Sequence, residues 1–237
     1  MKLAIVPARS GSKRLPRKNI LPVLGHPILS YPITEAFKSA LFQEVIVSTE
    51  DEEIAQIARQ ASARVLERPE KLAQDRATVV QVCLHVLQVL ERENPLPEYF
   101  CCIYATALFV TSEDIQQSFQ LLKSEPEADF VMGVSKFNLQ PVQALVEKEG
   151  FLRPMWPEYL GIQSQFQPKL VASNGTIYWA RTEAFLERKS FYGRKLRGYV
   201  IPRIRAVDID TPEDLRIAQI LAPHILQKEG SSREPYR

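Results

Sequence analysis

The chain has 237 residues, of which 45% are apolar and 24% charged, and its formal net charge is +2. This length suits one large domain or one domain with an insertion, and the near-balanced charge argues against a nucleic-acid-binding protein. No apolar run approaches the ~20 residues of a membrane-spanning helix. Cys83, Cys101 and Cys102 have no zinc-ligand spacing, and their odd number argues against a disulfide framework, so a reducing cytoplasm is the expected location.

Apolar strands and amphipathic helices alternate along the chain as far as Val134. Strands are predicted at residues 3–6, 44–49, 63–66, 100–104 and 128–134. Helices are predicted at residues 27–40, from residue 50, at 78–93 and at 112–122 with Ser112 as the cap. The alternation predicts an α/β fold, in which helices cover both faces of an open, mostly parallel sheet.

The pattern changes after Val134. Residues 135–173 are rich in Gln, Pro and aromatic residues, and most of the stretch has neither a helical nor a strand period. A stretch this long inside a domain usually carries function or an interface. The later predicted elements are strand patterns at 175–180 and 195–210, a short helix at 183–186, and a last helix from Thr211 to about Leu226. Residues 227–237 have the composition of a frayed tail.

A cationic loop follows the first predicted strand. Residues 9–18 contain five cationic side chains, and residues 10–12 form a turn of small residues. Small residues let backbone N–H groups approach phosphate oxygens, while Lys and Arg neutralise charge that grows as a bond to phosphorus breaks. A polyphosphate site and a basic surface loop are both compatible with this composition. The loop has neither the Walker A nor the Gly-x-Gly-x-x-Gly spacing.

Two aspartates lie one residue apart just before the last predicted helix. If the segment is extended, Asp208 and Asp210 point to the same side, because side chains alternate along a strand. Two carboxylates suit Mg²⁺, which usually takes one or two of them together with substrate phosphates. The alternative is an acidic N-cap region for the helix, which accounts for Asp210 and less well for Asp208.

Two other polar segments are compatible with binding or with a plain surface role. Residues 68–78 follow a predicted strand, and open α/β sheets bind ligands at the carboxyl ends of their strands. A surface connection with Asp75 or Thr78 as the helix cap fits this segment about as well. The acidic run 50–53 is interpreted as a solvated helix start.

The combination of these motifs resembles the CMP-sialic acid synthetases (acylneuraminate cytidylyltransferases). Residues 6–19 (VPARSGSKRLPRKN) match the opening motif of that family with Ser10 in place of the usual Gly, and residues 45–49, 68–73 and 207–211 match later motifs. Within the family, residues 103–107 (IYATA), 156–159 (WPEY) and 199–203 (YVIPR) look like the pseudaminic acid branch. Phe166 replaces an Asp of that branch, and Asn174-Gly175 is more similar to the sialic acid enzymes.

The resemblance implies a nucleotide-diphospho-sugar transferase type of fold. It also implies a homodimer, in which arms formed by residues 135–174 reach the neighbour's active site. The implied reaction is cytidylyl transfer from CTP to a nonulosonic acid, with pseudaminic acid as the expected acceptor. N-acetylneuraminic acid, legionaminic acid and the eight-carbon KDO are the alternatives, and a nucleotide-binding homologue without catalysis is the alternative outside the enzymes.

The resemblance also assigns site residues. The expected catalytic residues are Arg9, Lys18 and Asp208. The expected nucleotide-binding residues are Ala8, Arg9, Ser12, Lys13, Lys18, Asn19, Arg68 and Ala77, of which Arg68 and the backbone near Ala77 would bind cytosine. The expected sugar-binding residues are Gln165, Asn174 and Gly175, and the expected Mg²⁺ ligands are Asp208 and Asp210. Arg14 and Arg17 are expected to point elsewhere, toward solvent or a partner.

Overall fold

The computed structural model describes residues 1–226, so the predicted tail, residues 227–237, lies outside the described residues. The strands are β1 (Lys2–Pro7), β2 (Pro22–Val23), β3 (His26–Pro27), β4 (Glu44–Thr49), β5 (Arg64–Glu67), β6 (Tyr99–Ile103), β7 (Phe130–Lys136), β8 (Leu145–Lys148), β9 (Phe151–Pro154), β10 (Val171–Arg181) and β11 (Leu196–Val200). The helices are α1 (Ser30–Lys38), α2 (Glu52–Gln60), α3 (Val79–Glu91), α4 (Ser112–Ser124), α5 (Thr182–Arg188) and α6 (Pro212–Leu226). Among them, no helix combines the length and apolar character needed to cross a membrane.

Seven strands form one sheet in the order β11-β7-β10-β6-β1-β4-β5. All neighbouring pairs are parallel except those of β10, which runs antiparallel to both β6 and β7. Parallel neighbours need crossover connections, and α2 supplies the one between β4 and β5. The predicted α/β fold with a mostly parallel sheet is confirmed.

Both faces of the sheet are covered by helices. On β1, Ala4 and Val6 pack into a core with α1, α2 and α4, while Leu3 and Ile5 pack on the opposite face with α3 and α5. Cys101 and Cys102 divide between the two cores in the same way. Burial on both faces explains why these strands are almost continuously apolar in sequence.

The loops that matter for function meet at the carboxyl edge of the sheet. The segments after β1, β4, β5 and β6 all leave this edge, because these four strands are parallel neighbours. The antiparallel β10 brings residues 173–176 to the same edge, since its Ile177 pairs with Ile103 at the end of β6. A register shift between Ser173 and Tyr178 makes these residues bulge from the strand.

Three boundaries differ from the sequence predictions. Residues 135–173, expected to be mostly irregular, contain the β8–β9 hairpin as well as the ends of β7 and β10. The stretch 195–210 is a strand only as far as Val200, after which Pro202 precedes a 3-10 turn at Arg203–Arg205. Helix α4 is capped by Thr111 instead of Ser112, because Thr111 forms a reciprocal capping box with Asp114.

Candidate active site

A cleft of about 140 Å³ opens at the carboxyl edge of the sheet. Its lining residues are Pro7, Arg9, Lys18, Asn19, Arg68, Leu72, Ala77, Val79, Val82, Tyr104, Ala105 and Thr106. The residues named for nucleotide binding that line it are Arg9, Lys18, Asn19, Arg68 and Ala77. These five residues come from the loops after β1 and β5, and residues 104–106 after β6 also line the cleft.

The remaining nucleotide-binding candidates do not line the cleft. Ala8 is fully buried, and its N–H donates to the carbonyl of Ser48, so this residue continues the sheet. Ser12 is half-buried, and the Lys13 side chain is 85% exposed. Direct contacts of Ser12 and Lys13 with a nucleotide stay predictions.

Two cations of the loop share one carboxylate. Asp75, in the loop after β5, accepts a 3.1 Å hydrogen bond from Arg9 Nη1 and lies 2.6 Å from Lys13 Nζ. The hydrogen bond and charge of Lys13, together with those of Arg9, lower the pKa of Asp75, although desolvation acts in the opposite direction. The Asp75 carboxylate thus lies between Arg9 and Lys13, at a position that suits a negatively charged group.

Arg14 and Arg17 have different surroundings. Arg17 has a left-handed backbone (φ 55°) and is ion-paired with Asp51 at 3.0 Å and Glu53 at 2.6 Å, at the start of α2. It does not line the cleft, which agrees with the prediction. Arg14 does not line the cleft either; its side chain is 66% exposed and is ion-paired with Asp210. Its position agrees with the prediction as well.

Arg68 is a buried cation in the cleft, only 4% exposed. Its Nη2 donates to the carbonyl of Ser48 at 2.5 Å, and its Nε donates to the Ser48 hydroxyl at 3.4 Å. Burial lowers the pKa of Arg68, and the charge of Glu50 offsets part of that effect. A buried guanidinium with donors beyond those bonds can bind a carbonyl oxygen of a ligand, such as that of a nucleobase.

The two aspartates lie beside the cleft, each next to a residue that borders it. Lys18 Nζ, in the cleft, is 2.6 Å from Asp210 Oδ1. Partial burial and the adjacent charge of Asp210 raise the pKa of Asp208. For Asp210, burial acts in the same direction, but the hydrogen bond and charge of Lys18 outweigh it and lower the pKa. The two carboxylates therefore repel each other, and a cation placed between them would relieve that repulsion.

The N-cap alternative for Asp210 is wrong. Thr211 holds the cap position of α6, since its hydroxyl accepts from the Asp214 N–H at 3.3 Å. Asp214 reciprocates by accepting from the N–H of Thr211 at 2.8 Å and from that of Asp210 at 3.1 Å. The carboxyl group of Asp210 therefore does not cap the helix and forms ion pairs with Lys18 and Arg14 instead.

Gly175 lies against Asp208. It has a left-handed backbone (φ 64°), and a side chain there would begin 3.6 Å from both Asp208 Cγ and Tyr104 Cδ2. Tyr104 lines the cleft, so Asp208, Gly175 and Tyr104 meet where the cleft borders the bulge of β10. The pattern of residues 103–107 was the only sequence signal that could have pointed to Tyr104.

The other two sugar-binding candidates have different positions. Asn174 is buried, donates to Ser135 Oγ at 3.1 Å and accepts from Thr176 Oγ1 at 2.6 Å, so its amide shapes the bulge. Gln165 lies on an exposed 3-10 turn and donates to Gln163 Oε1 at 2.6 Å. Gln165 is not a lining residue of the cleft, and its role stays a prediction.

A buried ion pair anchors the segment that carries Asp208. Arg205 donates to both carboxylate oxygens of Asp114, with a distance of 2.9 Å from Nη2 to Oδ1. Tyr199 OH donates to the same Oδ1 at 3.2 Å. Burial would raise the pKa of Asp114, but the hydrogen bond and charge of Arg205 outweigh it and lower the pKa.

Asp114→Asn is expected to lower the free energy of unfolding by about 2–3 kcal/mol near neutral pH, because Arg205 is then left partly buried without a counter-charge. Since the pKa of Asp114 is lowered in the folded protein, its contribution is complete above the unfolded pKa of about 4 and is lost as the pH falls through the folded value. Urea unfolding measures this. The difference in the free energy of unfolding between wild type and Asp114→Asn should become smaller as the pH is lowered from about 7 to about 3. Glu113→Gln is the exposed control; a difference that persists at low pH would contradict this role.

A mostly parallel sheet that gathers cations and a carboxylate pair around one cleft at its carboxyl edge suits the transfer of a phosphate-containing group. Within residues 1–226, no Ser, Cys or His lines this cleft, and transfer by direct in-line attack on phosphorus does not require one. By fold and site, the protein is a nucleotidyltransferase.

Comparison with known proteins gives the family. The chain belongs to the cytidylyltransferase family, whose profile matches residues 3–221. It is 33% identical over 221 residues to a pseudaminic acid cytidylyltransferase of Campylobacter jejuni, covering 92% of this chain and 95% of the relative. It is 30% identical over 223 residues to a CMP-N,N'-diacetyllegionaminic acid synthase of Legionella pneumophila, again covering 92% and 95%. The resemblance found in the sequence motifs is confirmed.

A solved structure supports the fold assignment. The CMP:2-keto-3-deoxy-manno-octonic acid synthetase complexed with CTP matches with a TM-score of 0.68, over 94% of this chain and 98% of that one. The two sequences are only 14% identical, so the match concerns the fold. The expected nucleotide-sugar transferase type of architecture is therefore confirmed.

Proposed function

We propose that this protein transfers the cytidylyl group of CTP to the anomeric hydroxyl of a nonulosonic acid and releases pyrophosphate, with pseudaminic acid as the acceptor. The observation that carries the proposal is the junction at Tyr104, where the cationic cleft meets Asp208 and Gly175. The names of the relatives support the choice of CTP and of a nonulosonic acid.

In this proposal the cleft positions CTP and stabilises the charge of the leaving group. Arg68 and the backbone near Ala77 bind cytosine, and Arg9, Ser12 and Lys13 bind the triphosphate, which replaces Asp75 as the partner of the two cations. Lys18 stabilises the departing pyrophosphate. The acceptor hydroxyl attacks the α-phosphorus in line, so positioning and electrostatics supply the catalysis.

Asp208 and Asp210 are the proposed Mg²⁺ ligands. The repulsion between the two carboxylates would be relieved by a divalent cation. Within residues 1–226 no group of three or more His, Cys, Asp or Glu could hold a metal, so the protein would supply only these two ligands. A site with two carboxylates suits Mg²⁺, whose other ligands are substrate phosphates and water. When bound, the ion would neutralise phosphate charge and make a sugar hydroxyl more acidic. The ammonium group of Lys18 would then pair with phosphate oxygens instead of with Asp210.

The arm is the proposed dimer interface. Both strands of the β8–β9 hairpin are almost wholly exposed, including Phe151 at 71%, and an isolated two-stranded hairpin is marginally stable in water. Phe166, beside Gln165, is 74% exposed. Exposed apolar surface of this kind marks an interaction site. We assign it to a second copy of the chain, which would bring Gln165 to the partner's sugar pocket.

The proposed location is the cytoplasm. Cys83, Cys101 and Cys102 are buried free thiols. Thiols of this kind persist in a reducing compartment. CTP, the proposed donor, is a cytoplasmic nucleotide.

The proposed function is tested by measuring pyrophosphate release with CTP, Mg²⁺ and each of four acceptors, namely pseudaminic, legionaminic and N-acetylneuraminic acid and KDO. We expect pseudaminic acid to give the highest kcat/KM. A higher value for another acid would reassign the acceptor within the family. CTP binding without pyrophosphate release from any of the four acids would contradict the proposed function.

A further inference from the structure

Glu50 does not behave like the rest of the acidic run that follows β4. Asp51 caps α2, and Glu52 and Glu53 are exposed in its first turn. The Glu50 side chain turns the other way, so that its Oε1 accepts from the N–H of Ser10 at 2.7 Å and from the Ser10 hydroxyl at 2.9 Å. The interpretation of the run as a solvated helix start is wrong for Glu50.

The peptide group between Arg9 and Ser10 is held at both of its polar ends. Its N–H, that of Ser10, donates to Glu50, and its carbonyl, that of Arg9, accepts a 2.8 Å hydrogen bond from Asn19 Nδ2. Because a peptide group is planar and rigid, bonds at both ends fix the orientation of the whole plane. That plane sets the direction in which the Arg9 side chain enters the cleft.

Only one of the two carboxylate oxygens of Glu50, Oε1, accepts the hydrogen bonds from Ser10. Glu50 Oε2 is buried and has no hydrogen-bond partner among residues 1–226. The buried Arg68 lies close enough to Glu50 for the charge of Glu50 to act on its guanidinium group. Since the contacts to Ser10 use Oε1 alone, an amide oxygen can replace it.

We propose that Glu50 is a positioning residue for the triphosphate of CTP. Together with Asn19 it clamps the Arg9–Ser10 peptide, so that Arg9 and the N–H groups that follow face the phosphates. The inference rests on the proposed function only in taking CTP as the ligand of the cleft. It also gives Ser10 a role, because the hydroxyl adds a second anchor where the family usually has glycine.

The test compares CTP with CMP, which lacks the two outer phosphates. Glu50→Ala is expected to weaken CTP binding about tenfold, because the two hydrogen bonds that orient the Arg9–Ser10 peptide are lost, and CMP binding by less than about threefold. Glu50→Gln is expected to recover most of the CTP affinity. Glu52→Ala, from the exposed part of the same run, is the matched control and leaves both affinities unchanged. Titration calorimetry measures binding, and thermal unfolding checks the fold of each variant.

A double-mutant cycle with Ser10→Gly completes the test. This change removes the hydroxyl bond and keeps the N–H bond, so it should weaken CTP binding about threefold in the wild type and have no effect in Glu50→Ala. Equal losses of CTP and CMP affinity in Glu50→Ala, or a Ser10→Gly effect of the same size in both backgrounds, would overturn the role of Glu50. Unchanged CTP binding by Glu50→Ala contradicts this inference alone, whereas a wild-type protein that binds no CTP contradicts the proposed function as well.

Discussion

Replacing Lys18 by alanine is expected to lower kcat about 100-fold or more, with the folded structure retained. Lys18 lines the cleft, its side chain is 22% exposed, and its ammonium group lies 2.6 Å from Asp210. The negative charge on the pyrophosphate grows as the bond to the α-phosphorus breaks, so a fixed cation acts mainly in the transition state. The effect should therefore appear in kcat more than in the KM for CTP.

Arg17→Ala is the matched control for Lys18. Arg17 is the adjacent cation of the same loop, but its partners Asp51 and Glu53 belong to the start of α2. We expect this variant to keep kcat within about threefold of wild type, since surface ion pairs contribute little. Pyrophosphate release at saturating CTP and acceptor measures both variants. Near-normal kcat in Lys18→Ala would show that its assigned role is wrong.

Asp208→Asn is expected to lower kcat about 100-fold or more, because one of the two proposed Mg²⁺ ligands is lost. The same change should not lower the melting temperature. Asp208 is an exposed residue, so replacing its carboxyl group by an amide of the same size has little effect on the free energy of unfolding.

Two further measurements beside kcat test the role of Asp208. We expect the Mg²⁺ concentration for half-maximal activity to rise in Asp208→Asn, and CTP affinity in the presence of EDTA to stay the same or increase. Glu213→Gln, an exposed carboxylate at the start of α6, is the control and should match wild type in each measurement. Normal kcat in Asp208→Asn would contradict the assignment.

Local patterns predicted the parts of the site that lie on single segments. The apolar run before the cationic loop became β1, because a strand buried on both faces has that composition. The spacing of Asp208 and Asp210 placed both carboxylates beside the cleft, because the segment that carries them is not helical. Pro212 in the first turn correctly marked the start of α6.

Contacts between distant segments could not be read from local patterns. The pairing of Lys13 with Asp75 and of Arg14 with Asp210 depends on which strands are neighbours, and periodicity does not give strand order. The same holds for β10, which lies between two strands that precede it in the chain. Its bulge is what brings Gly175 to Asp208 and Tyr104.

The central claim, cytidylyl transfer to a nonulosonic acid, is tested most directly by phosphorus NMR of the wild-type protein with CTP, Mg²⁺ and pseudaminic acid. The signals of CTP should be replaced by that of pyrophosphate and by a single phosphodiester signal from the CMP-linked sugar. Persistence of the CTP signals, or formation of CMP or CDP without a phosphodiester product, would contradict the account.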